Sequence, residues 1–378
     1  MPNVPLRKGG PNARIAVIPG DGIGKEVTPV AVNVIKTATA KRRRPLEFVE
    51  FDWGADKYLR EKITLPDGAV EKLRDEFDAI LFGALGDPRV PSNLHAADIL
   101  LGLRFKLDLF VNARPTELFH ERFTPLKDRI PNDIRLMVFR ENTEGIYVGA
   151  GGFFKKGTAD EVAIQEDINS RKGVERILRH AFDYARAHHM GRTGLQPANQ
   201  GTYKPLRLCM SDKSNAMTFA GDLWQRTFKS LRVEYPDVES RHLYIDTLAM
   251  EIVRDPRQFD VIVTNNLFGD IISDLAAELS GGLGLAPSGN IHPGQTSLFE
   301  PVHGSAPNIA GKGIANPFGS VLASGMMLEF LGWHEDAALL KQSVKSALDE
   351  NITTPDLHGS KQTLEVSDWL INYITKHS

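Results

Sequence analysis

One cysteine, Cys209, stands among 378 residues. No internal disulfide can form, and nothing in cysteine usage points to secretion. Within the apolar run LRLCM the thiol reads as an inert core group. No run of eighteen apolar residues occurs, so no transmembrane helix is expected. The opening stretch, MPNVPLRKGGPNAR, is charged but lacks the apolar segment of a signal peptide. The default expectation is a soluble, cytoplasmic chain. Excess positive charge is missing too: 45 Lys and Arg stand against 48 Asp and Glu, a formal charge of −3, which argues against nucleic acid as partner. The only dense basic run, Lys41–Arg44, precedes Pro45 and reads as cations at a helix C-terminus. There is no G-x-x-x-x-G-K-[ST], so P-loop phosphate chemistry is excluded. The glycines of PGDGIG, Pro19–Gly24, follow G-x-G-x-G spacing rather than G-x-G-x-x-G, so the Rossmann fingerprint fails and a tight turn is the reading.

The length suits about two domains. Short apolar strands alternate with helical stretches (Arg14–Ile18, Leu46–Phe51, Ala79–Phe82), which predicts an α/β class with a largely parallel sheet. The most informative stretch is Val261–Leu279, VIVTNNLFGDIISDLAAEL. A buried strand, a polar Asn265-Asn266 turn and an amphipathic helix carried by Leu267, Ile271, Ile272, Leu275 and Leu279 are expected in turn. Asp270 and Asp274, four apart, share one face of that helix. Most such pairs are merely solvated, but a hard divalent cation would convert their mutual repulsion into binding. Asp246 follows another short strand, Arg241–Ile245, so all three aspartates lie near the strand ends where open α/β sheets bind ligands.

Three arginines occupy similar positions. Arg104 follows the helical run Ile99-Leu100-Leu101-x-Leu103; Arg114 follows a strand expected at Leu107–Val111; Arg140 ends the strand Ile134–Phe139. Singly, each reads as a surface ion pair worth ~0–1 kcal/mol. Together their planar forks suit an acidic small molecule. Lys213, at a strand end, is either solvated or a general acid/base. Gly149–Asn169 suggests an extended arm for dimer contact, and His188-His189 a helix C-terminal cap. Pro287–Pro317 reads as a long irregular stretch, a length of loop that is usually functional.

The motifs IPGDGIGKEV, LRFKLDLFVNARP, RENTEGIY, SDKSNA, YIDTLAM, FGDIISDLA and EPVHGSAPNIAGKGIANP occur in this order from Ile15 to about Leu370. In them the chain resembles the metal-dependent β-decarboxylating dehydrogenases acting on isopropylmalate, isocitrate, homoisocitrate, tartrate and D-malate. The resemblance implies a two-domain α/β fold with a shared central sheet, not a Rossmann fold. Residues 1–109 and 281–378 would form the cofactor-binding domain, and 110–280 the metal, substrate and dimerisation domain. It further implies substrate carboxylates on Arg104, Arg114 and Arg140, Tyr147 and Lys213 as acid/base pair, and Mg²⁺ or Mn²⁺ on Asp246, Asp270 and Asp274. Asp246 would also relay the proton of Lys213. NAD would meet Glu300, His303, Gly304, Ser305, Ala306, Asn308, Asn316 and Asn215. In the family the lysine and the first aspartate reach into the partner subunit's cleft, so a homodimer follows.

Leu100 and Leu101 match the positions that meet the substrate's side group and favour a branched alkyl chain. An isocitrate carboxylate there would be an unpaired buried charge. The expected substrate is therefore 3-isopropylmalate, a step of leucine biosynthesis. D-malate or tartrate comes next, because Ala97 replaces a glutamate common in isopropylmalate enzymes and FDWGAD, Phe51–Asp56, resembles the tartrate/D-malate branch; homoisocitrate comes third. A catalytically silent regulatory subunit would be expected to have lost an aspartate, the lysine or the tyrosine, and all are present. Asn308 stands where NAD-preferring members usually have Asp. It keeps an acceptor for the ribose but no longer repels a 2′-phosphate. With Ile309 and Ala315 of the NAD-preferring type and no base placed for the phosphate, NAD is expected to remain preferred by a reduced margin. Steady-state kinetics should give a higher kcat/KM with NAD than with NADP; the reverse order would overturn this.

Overall fold

The computed structural model describes residues 13–40, 46–191, 194–197 and 204–378. The basic run Lys41–Arg44 and the segment preceding Ala13 lie outside them. The chain falls into two compact units: residues 1–109, 118–131 and 277–378, and residues 110–117 and 132–276. Residues 118–131, in the middle of the sequence, thus cluster with the first unit. Among the described residues no helix is long and apolar enough to cross a membrane.

In the first unit five strands run in the order Pro287–Ile291, Ser297–Pro301, Ala79–Ala84, Ala13–Gly20, Leu46–Glu50. All neighbours are parallel except the first pair, a hairpin. The Ala79–Ala84 strand is buried at every position, which is why it reads as an unbroken apolar run: parallel strands are covered on both faces. Phe77, Ile80, Phe82, Ile99, Leu103 and Leu107 join in its core. The helix Phe318–Phe330 is also buried nearly throughout.

Three expectations need correcting here. Leu107–Val111 is not a strand: the Leu107 N–H donates to Leu103 O at 3.0 Å and the Leu109 N–H to Arg104 O at 2.8 Å, so the helix is still closing. The strand is Val111–Glu117, and Arg114 lies in its middle. Pro287–Pro317 is irregular only after the hairpin. Its strands, PSGNI and SLFEP, are short and poor in β-branched residues, so they carry little strand signal. Ile271 is 58% exposed and leaves the apolar stripe, which runs instead through Ile272, Ala276 and Leu279.

The PGDGIG turn does more than reverse the chain. Gly22 has φ +52°, and a Cβ there would come within 2.0 Å of Ser305 O. The next residue, Ile23, donates its N–H to that same oxygen at 2.9 Å. The turn therefore abuts the His303–Pro307 loop at a distance only glycine allows.

In the second unit the order is Ser240–Tyr244, Leu208–Asp212, Val261–Thr264, Arg135–Glu141, Val111–Glu117, with only the last pair antiparallel. The stretch Gly149–Asn169 contains an antiparallel hairpin, Gly151–Phe154 with Val162–Gln165. Phe153, Phe154 and Ile164 are more than half exposed on it. His188 donates from Nδ1 to Tyr184 O at 2.8 Å at the end of the Arg171–Ala187 helix, as expected for a C-terminal cap; the side chain of His189 lies outside the described residues.

Gly22→Ala should destabilise the chain by about 2 kcal/mol or more, because strain of ~1–3 kcal/mol at positive φ adds to the clash. Gly294→Ala shares the positive φ (+82°) but meets nothing within 4 Å. In urea unfolding the Gly22 variant should show the larger loss; equal losses would mean that contact with Ser305 O contributes nothing.

Candidate active site

The second unit gathers the densest charge cluster. Val261–Thr264 feeds the helix Asn266–Glu278, which displays Asp270 and Asp274 one turn apart. That helix rests on the Arg135–Glu141 strand at Gly269, where a Cβ would come within 2.6 Å of Arg140 Cβ. Arg140 is 1% exposed, and its Nη1 donates to Asp270 Oδ1 at 2.5 Å. Arg114, 7% exposed, reaches the same Asp270 oxygen at 3.2 Å, Asp274 Oδ1 at 3.1 Å and Ser273 Oγ at 2.8 Å. Tyr147 donates its hydroxyl to Asp270 Oδ2 at 2.7 Å, and the Arg140 guanidinium stands 5.1 Å from its ring centre. Two arginines, two aspartates and the tyrosine thus form one connected group.

Burial pushes the Asp274 carboxyl above its ordinary range, Arg114 pulls it down and the like charge of Asp270 pushes it up again; the net direction is upward. A carboxylate pair one helical turn apart, partly neutralised by the arginines and still open to solvent, suits a divalent cation. The donors are hard oxygens, and the side chains of Asp270 and Asp274 remain 33% and 50% exposed, leaving room for substrate oxygens as Mg²⁺ and Mn²⁺ require. The residues therefore fit the metal. Among the described residues no three His, Cys, Asp or Glu side chains gather as a metal site.

Asp246 is elsewhere in this unit, in the first turn of the helix Ile245–Arg254. Lys213, just past the Leu208–Asp212 strand, holds it at 2.8 Å, and this hydrogen bond lowers the Asp246 carboxyl. Below the pair, buried Asp212 accepts from His242 Nε2 at 2.8 Å, Gln225 Nε2 at 2.8 Å and both Ser214 N and Oγ. Burial raises the Asp212 carboxyl, but these donors outweigh it and the net direction is down. Asn215 follows on the exposed side.

In the first unit Arg104 is 6% exposed and donates to Glu300 Oε1 at 3.0 Å, an oxygen that also accepts from Asn290 at 2.8 Å. Leu100 packs against the core and, with Leu101, lies on a single π turn, Ala97–Leu101, inside the helical run; such turns recur at functional sites. Phe51 and Trp53 of the FDWGAD segment also pack there, while Asp56 pairs with Lys25 and Arg89. The Val302–Asn316 loop is held from outside. Glu26 accepts from Gly311 N at 2.6 Å and Gly313 N at 3.1 Å, and Asp356 accepts from Asn316 Nδ2 at 2.9 Å. Ala306 adopts φ +42°, Asn308 is exposed, and burial lowers the His303 imidazole.

Sequence reasoning missed Glu26, Glu141, Asp212 and Asn266. All are polar residues at element ends, which was a signal, but a lone polar residue carries no partner in its spacing.

With this geometry in view, the family model for isocitrate/isopropylmalate dehydrogenase matches residues 14–370. The chain belongs to that family. Within it, the chain is 43% identical over 357 residues to the 3-isopropylmalate dehydrogenase of Thermobifida fusca, covering 94% of this chain and 96% of that one. It is 44% identical over 358 residues to the enzyme of the same name from Streptomyces griseus, again 94% and 96%. Among solved structures, isocitrate dehydrogenase from Methylococcus capsulatus superposes with a TM-score of 0.83 at 33% identity, covering 96% and 99% of the two chains. The TT0538 protein of Thermus thermophilus gives 0.82 at 34% identity, with 98% and 69% covered. The family makes the chain a decarboxylating dehydrogenase of mixed α/β fold.

Among the described residues of the second unit, Lys213 is the one lysine paired with Asp246, Asp270 or Asp274, and general acid/base groups contribute roughly 10²-fold or more to rate. Lys213→Met should lower turnover by that order in steady-state assays. A variant within tenfold of wild type would remove the lysine from the chemistry.

Proposed function

We propose that this enzyme oxidises and decarboxylates 3-isopropylmalate, using NAD and Mg²⁺ or Mn²⁺, as a step of leucine biosynthesis. The observation that carries the reading is the Arg114–Arg140–Asp270–Asp274–Tyr147 group. It combines bidentate carboxylate binders, a metal-suited carboxylate pair and a proton donor. The names of relatives at 43–44% identity support the substrate choice over isocitrate, as do Leu100 and Leu101. The tartrate/D-malate alternative is weakened, since the FDWGAD segment serves packing and surface pairing.

When bound, the cation (on Asp270, Asp274 and a third carboxylate) would acidify the 2-hydroxyl and steady charge on its oxygen, and the nicotinamide would accept the hydride. Arg114 and Arg140 orient the substrate carboxylates. Lys213 takes the hydroxyl proton as the alcohol becomes a ketone, with Asp246 holding the amine in place. Carbon dioxide leaves from the β-carboxylate, its bonding electrons forming an enolate, and Tyr147 returns a proton to that carbon. Asn215 and the Glu300–Asn316 stretch, with His303, Gly304, Ser305, Ala306 and Asn308, would receive the dinucleotide.

A homodimer completes the reading. Lys213 and Asp246 pair with one another within the chain, consistent with their serving the partner subunit's site. The exposed apolar side chains Phe153 and Phe154 on the hairpin, Phe219 and Val233 on the helix Thr218–Glu234, and Met250 on the next helix supply surface to bury.

With Mg²⁺ and NAD, NADH formation measured across 3-isopropylmalate, D-malate, tartrate, isocitrate and homoisocitrate should give the highest kcat/KM with 3-isopropylmalate. A higher value for any other acid would replace this substrate.

A further inference from the structure

Asn266 is 2% exposed at the start of the helix that carries Asp270 and Asp274. Its amide is used at both ends. Oδ1 accepts from Arg140 Nε at 2.9 Å, and Nδ2 donates to Glu144 O at 2.8 Å. Arg140 is a carboxylate-binding residue in the proposed reaction, and Glu144 sits in the turn that leads from Arg140 to Tyr147. One buried side chain therefore joins the substrate arginine to the segment presenting the proton donor.

Other contacts also hold the turn at this end: Gly145 donates its N–H to Ile168 O at 2.7 Å, Ser170 its N–H to Glu144 Oε2 at 2.8 Å, and Gln165 Nε2 donates to Ile146 O at 3.0 Å; Asn266 adds the link to Arg140. Gly145 takes φ +81°, and a Cβ there would meet Asn266 Cβ at 3.1 Å. Glu141, 2% exposed, ties the opposite root by accepting from Thr143 N, Thr143 Oγ1 and Glu144 N at 2.7–3.2 Å. Arg176 closes that knot, donating to Thr143 Oγ1 at 2.6 Å. Glu141 thus fixes the turn's shape, whereas Asn266 ties the turn directly to the arginine's side chain. A buried amide with both a donor and an acceptor engaged is stereospecific: no other uncharged side chain of that length offers both.

We infer that Asn266 is a positioning residue that couples substrate-carboxylate binding at Arg140 to the placement of Tyr147. The inference rests on the proposed role of Tyr147 as proton donor. When Arg140 engages a carboxylate, its Nε remains on Asn266, and the same amide holds the Glu144 carbonyl. Tyr147 is thereby set only three residues from a fixed point.

The test is a double-mutant cycle with purified full-length enzyme, 3-isopropylmalate, NAD and Mg²⁺. Asn266→Ala should lower kcat at least tenfold and raise KM for the acid. Tyr147→Phe should lower kcat, and the Asn266→Ala/Tyr147→Phe variant should turn over within about twofold of Tyr147→Phe alone while keeping the raised KM. Losses in kcat that multiply would overturn the inference and leave the role of Tyr147 standing. Tyr147→Phe at the wild-type rate would overturn the proton-donor reading and the inference with it. Should Asn266→Ala not fold, Glu141→Gln loosens the turn from its other root without touching Arg140 Nε. There kcat should fall while KM stays within about twofold, and a KM that rises in step with the fall in kcat would overturn the inference.

Discussion

A guanidinium with almost no access to water organises the charge cluster of the second unit. Arg140 is among the largest fully buried side chains of the chain, and a buried charge left without partners destabilises by roughly 3–5 kcal/mol. Its requirement for an anion fixes where Asp270 must lie, and hence how closely the Asn266–Glu278 helix approaches the strand. Gly269 is the accommodation to that approach. Arg114 repeats the arrangement one strand over, and the two cations and two carboxylates offset each other. A dicarboxylate entering with a divalent cation would leave that charge sum unchanged, so the same group can be stable empty and loaded.

Much of this was legible beforehand because it follows from short periods. The three-to-four spacing of Leu267, Ile271, Ile272, Leu275 and Leu279 declared a helix, although Ile271 itself is exposed, and the four-residue interval between Asp270 and Asp274 put them on one face. Buried parallel strands declared themselves as apolar runs, AILF of Ala79–Phe82 most plainly, though the strand runs on through Gly83 to Ala84. What escaped had no period. The hairpin Pro287–Pro301 is made of residues that sequence rules assign to turns, and only burial and pairing make it a sheet. Leu107–Val111 has strand composition, yet the helix before it takes up its N–H groups. Glu26 and Asp356 act on backbone and side-chain groups far along the chain, and such partners are set by topology alone.

The two units handle polar groups differently. The second concentrates charge, and its aspartates are raised or lowered according to whether burial or a cation dominates: up for Asp274, down for Asp246. The first mainly immobilises backbone. Its Val302–Asn316 loop has almost no regular structure, but is pinned by Gly22, Glu26 and Asp356. A loop that receives a ligand through N–H and C=O groups must be rigid before the ligand arrives, since ordering it afterwards subtracts from affinity.

The first unit is assembled from both ends of the chain, and this bears on biogenesis. The strand Ala79–Ala84 leaves the ribosome early, paired on one side with Ala13–Gly20, but its other neighbour, Ser297–Pro301, is synthesised about two hundred residues later. Throughout that interval a flat apolar strand presents an open row of N–H and C=O groups, the kind of edge that recruits strands from other nascent chains. The second unit, by contrast, is nearly continuous in sequence, so its strands wait far less for their neighbours. Any pause in synthesis over that span lengthens the time for which this edge stands open to the wrong partner.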